Sequence, residues 1–313
     1  MESEEIVEEE VLRVLDSCIS RIKWRLRSSS KRRLQTDILA LCTGMRPVVM
    51  VDYGGKMPEL QEQLCLLLHL CHKESSILWP LRIMIIQDMV YLIHVSGLAE
   101  HVQSGLSLQQ QMLFVDLEQD PPKMVMQSEQ NLVASQLGSI QNFFSSVFSV
   151  DETNKDISPK VPPPMTGLKM ESAEHSGADE LVASQSSELI DLSSCMQDTE
   201  VTLPTLNGWL LGYPVVYLSG KEHMADAIYN LSTKSLHLFK ILVGRNGTSG
   251  KGPCQEELMS SFTVPYDLSM GGEKEPWAKA FLAHMWTKFE RCKKSWRYLR
   301  MEVSECYPQS IVL

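Results

Sequence analysis

The sequence predicts an α/β (or α+β) protein, with a mixed sheet of about five to seven strands covered by helices and interrupted by a long acidic insertion. Three observations predict it. Short runs rich in Val, Ile and Tyr alternate with longer stretches whose apolar residues recur every three or four positions. Hydrophobic residues make up 43% of the 313 and charged residues 22%, enough apolar content for a core. Residues 151–200 hold no aromatic residue, four prolines, eight serines, eleven acids and three lysines, a net −8 out of −10 for the chain. Such a stretch buries too little apolar surface to offset the entropy of ordering it. The expectation is one discontinuous domain assembled from 1–149 and 201–313, with 150–200 a disordered loop. Neither piece alone has strands enough for a well-covered sheet.

The elements follow in order. Val7, Val11, Val14, Cys18, Ile22 and Leu26 are spaced by three or four, which predicts an amphipathic helix over 5–27. A second helix runs from Arg32 to Cys42 and stops at Gly44 and Pro47. Pro47–Asp52 is a compact β-rich run closed by Tyr53-Gly54-Gly55, hence a buried strand. Pro58 suits the first turn of a helix reaching about Lys73. Leu81–Val95, broken by Gln87-Asp88, predicts two strands, and Met112–Asp116 another, ended by Pro121-Pro122. Residues 129–148 read as helix, with Leu132, Leu137, Ile140, Phe144 and Phe148 inward. Gly212 permits a sharp bend and Tyr213 is held extended by the proline after it, so Pro214–Leu218 is a strand. Leu236–Val243 and Ser261–Pro265 are strands. Positions 278, 281, 285, 289, 292, 296, 299 and 303 step by three or four throughout, which predicts one long closing helix over 276–303.

Within this frame, Asn207-Gly-Trp-Leu-Leu-Gly-Tyr-Pro-Val-Val-Tyr217 dominates the second block. Together with Val48-Val-Met-Val-Asp-Tyr-Gly-Gly55, Ser295-Trp296 and the Ile311-Val-Leu313 end, it resembles the vertebrate family named after human chromosome 1 open reading frame seventy-four, an uncharacterised family. The resemblance covers both ordered blocks and leaves out the acidic insert. It implies no activity, cofactor or catalytic residue.

The N-terminal ten residues carry six glutamates, unlike a secretory or mitochondrial signal, and no 18-residue apolar window occurs. The eight cysteines form no CxxC pair. The expected home is therefore cytoplasmic or nuclear, with reduced thiols, no membrane partner and unmodified sequons at Asn230 and Asn246.

Candidate chemistry is sparse. Asp52 and Asp116, at the C-terminal ends of strands, suit a metal- or phosphate-dependent site with Lys56 balancing charge. Acids at loop starts also serve simply as caps, and position 54 is glycine where related hydrolases carry a second Asp. Cys65, His69 and His72 share the polar face of the 58–73 helix. Their rise of ~10.5 Å is too long for one zinc to take all three, so other segments would have to supply ligands. The Gly244–Gly252 loop fails the phosphate-loop pattern, because Arg245, Gly252 and Pro253 stand where that motif needs other residues. Neither GxSxG nor HExxH occurs, and His94, His223, His237 and His284 read as structural histidines.

Two basic stretches, Arg21–Arg33 and Lys288–Arg300, are candidate anionic-partner surfaces. Leu189-Ile190-Asp191-Leu192, followed by serines, resembles a SUMO-interacting motif, which adds a strand to its partner's sheet. The leading expectation is a non-enzymatic protein that binds another protein through the acidic insertion, without a cofactor. The alternatives are the Asp52/Lys56/Asp116 enzyme and, against the net charge of −10, nucleic-acid or other anionic-partner binding through the basic helices.

Overall fold

The computed structural model describes residues 3–106, 112–125, 131–148, 188–245 and 255–308. Helix α1 (Ser3–Arg21) buries Val11, Val14 and Cys18, the stripe that its spacing predicts. It stops short of the expected end because Trp24 turns away and donates its indole N–H to the Gly54 carbonyl at 2.8 Å. Gly54 has φ +89°, and a Cβ there would come within 3.0 Å of both Leu26 and Trp24. Only glycine fits. Helix α2 (Ser28–Cys42) follows, starting four residues before the expected Arg32.

Strand β1 (Val48–Met50), helix α3 (Glu59–Glu74) and the hairpin of β2 (Leu81–Ile86) and β3 (Met89–His94) form where the sequence predicts them. Strand β3 pairs antiparallel with β1 and β2, and β2 takes β6 (Leu189–Asp191) in parallel on its other side. Both faces of this sheet are covered. Val49, Ile83, Ile85 and Leu92 join the core built with α1, α2 and α3. Val48, Met84, Ile86, Tyr91 and Ile93 join the core built with α4 (Val95–Leu106), α5 (Leu132–Val147) and α6 (Leu203–Leu210). Two-sided burial explains why β2 and β3 read as continuous apolar runs.

Strand β6 corrects the expected insertion. Residues 149–187 lie outside the described residues, but 188–200 are folded. Ile190 and Leu192 are only 3% and 1% exposed. The Ile83 N–H donates to the Glu188 carbonyl, and the Leu192 N–H to that of Ile85.

A second sheet sets β4 (Leu113–Asp116) between antiparallel β5 (Lys123–Val125) and parallel β7 (Val215–Leu218). After α7 (Met224–Ser232), a third sheet is wholly antiparallel: β8 (Leu236–Arg245) lies between β9 (Gln255–Pro265) and β10 (Trp296–Cys306), and α8 (Pro276–Arg291) packs on it. The mixed class therefore holds, with the strands divided among three sheets in place of one.

The long closing helix is corrected as well. It ends at Arg291, and 296–306 is β10. A bulge at Trp296–Tyr298 shifts the strand's phase, so Trp296 and Leu299 both point inward three residues apart. A bulged strand thus mimics a helical step. Among the described residues, no helix is long and apolar enough to cross a membrane.

Candidate ligand-binding cleft

The residues singled out from the sequence do not assemble into an active site. Asp52 is exposed just after β1 in the first sheet, and Lys56 is exposed in the loop beyond it. Asp116 ends β4 in the second sheet, and its Oδ1 accepts the Glu118 N–H at 2.9 Å, an ordinary turn cap. No hydrogen bond or ion pair among the described residues joins these three.

On α3, His69 Nδ1 lies 3.3 Å and His72 Nδ1 3.8 Å from the same oxygen of Glu188. The histidines thus anchor the residue that leads into β6. Among the described residues, no group of three or more His, Cys, Asp or Glu side chains is placed to hold a metal ion, Cys65 included. Leu189–Asp191 is already a strand of the protein's own sheet, with Ile190 and the following Leu192 turned into its core. Four of the seven cations of the first basic stretch are paired, Arg21 with Glu74, Lys31 with Asp16, Arg32 with Glu257 and Arg33 with Asp37. Of the Gly244–Gly252 loop, residues 246–252 lie outside the described residues.

A different site emerges between α4, α8 and the bend after α6. Helix α6 ends in a paired cap: the Gly212 N–H donates to the Trp209 carbonyl and the Tyr213 N–H to that of Gly208, both at 2.9 Å. Gly212 takes φ +73°, the left-handed conformation this cap requires. The Trp209 carbonyl also accepts His101 Nε2 from α4 at 3.0 Å. A carbonyl only accepts, so His101 carries its proton on Nε2 and leaves Nδ1 as a lone pair.

Across from α4, α8 presents His284, Lys288 and Arg291 at intervals of four and three, one stripe of its surface. Arg46 reaches in from the turn after α2. It is 7% exposed and held by a 3.0 Å hydrogen bond from Nη1 to the Met259 carbonyl.

These residues line two adjoining cavities. The first, about 610 Å³, is bordered by Arg46, Lys288, Arg291 and a single carboxylate, Glu100. The second, about 800 Å³, is walled by Trp209, Tyr213, Trp277 and Phe281. His101 and His284 belong to both.

The electrostatics follow from this crowding. Burial first, and then the Lys288 charge, pushes His101 down to about 4. Burial followed by Lys288 and Arg291 does the same for His284, also to about 4. Lys288 itself is pulled down to about 8, by burial and then by Arg46, with Glu100 acting in the opposite sense. At neutral pH the imidazoles are uncharged, while Lys288 remains mostly protonated. Two further groups are unmatched. The rings of Trp209 and Trp277 line the second cavity, and their indole N–H groups are buried with no hydrogen-bond partner among the described residues. A buried donor left so costs about 1–3 kcal/mol.

The model of a domain of unknown function, DUF4504, matches residues 16–313. The chain belongs to the DUF4504 family. No curated protein and no solved structure matches it.

Sequence reasoning on this DUF4504 chain found part of the cleft and missed part. Lys288 and Arg291 stood in the second basic stretch, but Arg297 and Arg300 of that stretch lie on β10. His284, read as structural, lines the cleft, and His101 and Arg46 gave no signal. The one clue was indirect: the Gly212–Pro214 bend marked a place where backbone geometry is exacting.

Proposed function

We propose that this DUF4504 protein is a non-enzymatic binding protein whose cleft holds a small anionic ligand. The convergence of Arg46, Lys288 and Arg291 on one cavity against the single carboxylate of Glu100 carries the reading. Buried Asp37 offsets Arg46 in part, but three cations lining one cavity with a single carboxylate still repel one another, and an anion between them turns that repulsion into charge-assisted hydrogen bonds. Binding without catalysis is supported by the cleft's hydroxyls. Thr43 donates to the Leu39 carbonyl and Thr287 to that of Ala283, each spent on its own helix.

A cytoplasmic or nuclear location belongs to the same proposal, supported by free thiols at Cys18, Cys42 and Cys71. So does kinship with the vertebrate family of chromosome 1 open reading frame seventy-four, supported by the Asn207–Tyr217 segment. A protein partner for the acidic stretch is supported by its charge alone, −8 over 151–200.

Sulfate, whose charge is constant over the working pH range, tests the reading by calorimetric titration. Lys288→Met is expected to weaken binding roughly tenfold, ~1.4 kcal/mol. Lys288 faces Arg46, Glu100, Arg291, His101 and His284. Wild-type affinity should therefore fall as pH rises through about 8, where Lys288 loses its proton. It should stay level over that range in the variant. Equal affinities in the two proteins refute the reading.

A further inference from the structure

The cationic cavity continues past His101 and His284 into the aromatic chamber, so an anion held there can extend into it. The chamber's walls carry two groups of interlocked rings. His101 stacks on Trp209, centroids 5.9 Å apart and 27° from parallel. Tyr213 and Phe281 each lie 5.5 Å from Phe262, and Trp277 lies 5.0 Å from Phe239. Interlocked rings of this kind keep their positions and present flat faces, which match a flat guest better than a flexible chain. The unpartnered indole N–H groups of Trp209 and Trp277 add a second, independent demand. Both are donors, so a guest that satisfies them carries acceptors on its body. A chamber of about 800 Å³ lies within the range of small-molecule sites.

Resting on the anion reading above, we infer that the ligand is a heteroaromatic phosphate of nucleoside monophosphate size. Its phosphate sits among Arg46, Lys288 and Arg291, and its ring lies between the Trp209 and Trp277 walls.

The full chain is titrated by calorimetry and tryptophan fluorescence with inorganic phosphate, adenosine monophosphate and octyl phosphate. Adenosine monophosphate is expected to bind at least tenfold tighter than inorganic phosphate, and tighter than octyl phosphate. Trp277→Phe keeps the ring and removes the N–H. It should forfeit several-fold of the adenosine monophosphate affinity, leave inorganic phosphate unchanged and unfold near the wild-type temperature. If inorganic phosphate binds but adenosine monophosphate gains nothing, or octyl phosphate binds tighter, the ring assignment is wrong and the anion site stands. If none of the three binds, both fall.

Discussion

His101 and His284 stay neutral at physiological pH because burial and the cations beside them oppose a further positive charge. Their folded values lie near 4 and their unfolded values near 6.5, so between these limits the unfolded chain takes up protons that the folded chain refuses. Each histidine therefore erodes stability as the solution is acidified through that window, and has no effect above it. Other groups oppose this trend. Burial holds the Glu8 carboxyl near 7, which favours the folded chain on acidification. The contrast between two proteins isolates one histidine. The melting temperature of His284→Gln relative to wild type should shift in the variant's favour as pH drops from 6.5 towards 4. It should be insensitive to pH between 7 and 9. A relative melting temperature that stays level throughout would mean His284 is not held neutral by the cleft.

At the scale of elements, β6 separates a folded strand from a docking motif. Ile190 and Leu192 are enclosed, whereas Asp191 is exposed and accepts the Ser193 N–H at 2.8 Å. Ile190→Ala is expected to cost roughly 2–4 kcal/mol, read from the denaturant midpoint. If the strand were instead displayed for a partner, the substitution would leave that midpoint unmoved.

Elements whose burial is simple were legible in the sequence. The β2–β3 hairpin announced itself by continuous apolar runs around Gln87-Asp88, and β7 by the glycine and proline of its bend. Strand β10 was not, because its bulge gave Trp296 and Leu299 a helical interval. Strand β6 was hidden by its surroundings, being three residues at the end of a serine-rich acidic stretch.

For the whole molecule, the parallel pairings β2–β6 and β4–β7 matter most, since each joins a strand before residue 149 to one after residue 187. Two of the three sheets are thus completed only when both parts are present. Expressed separately, 1–149 and 188–313 should each lack a cooperative thermal transition by circular dichroism, and mixing them should restore one. A sharp transition in either piece alone would show that the sheets do not depend on each other. The cleft is dispersed in the same way. Arg46, His101, Trp209 and Lys288 come from four segments far apart in sequence, so no local pattern announces it. Only the part carried on a single helix, Lys288 with Arg291, left a trace as a basic stripe.

The hydrogen bond from His101 to the Trp209 backbone limits what this cleft can become. An imidazole serves as a relay by receiving a proton at one nitrogen and releasing it from the other, and here the releasing nitrogen is tied to the end of a helix. Proton hopping through this ring would mean breaking its bond to the Trp209 carbonyl. A descendant that acquired catalysis in this cavity would have to recruit its acid or base from another position.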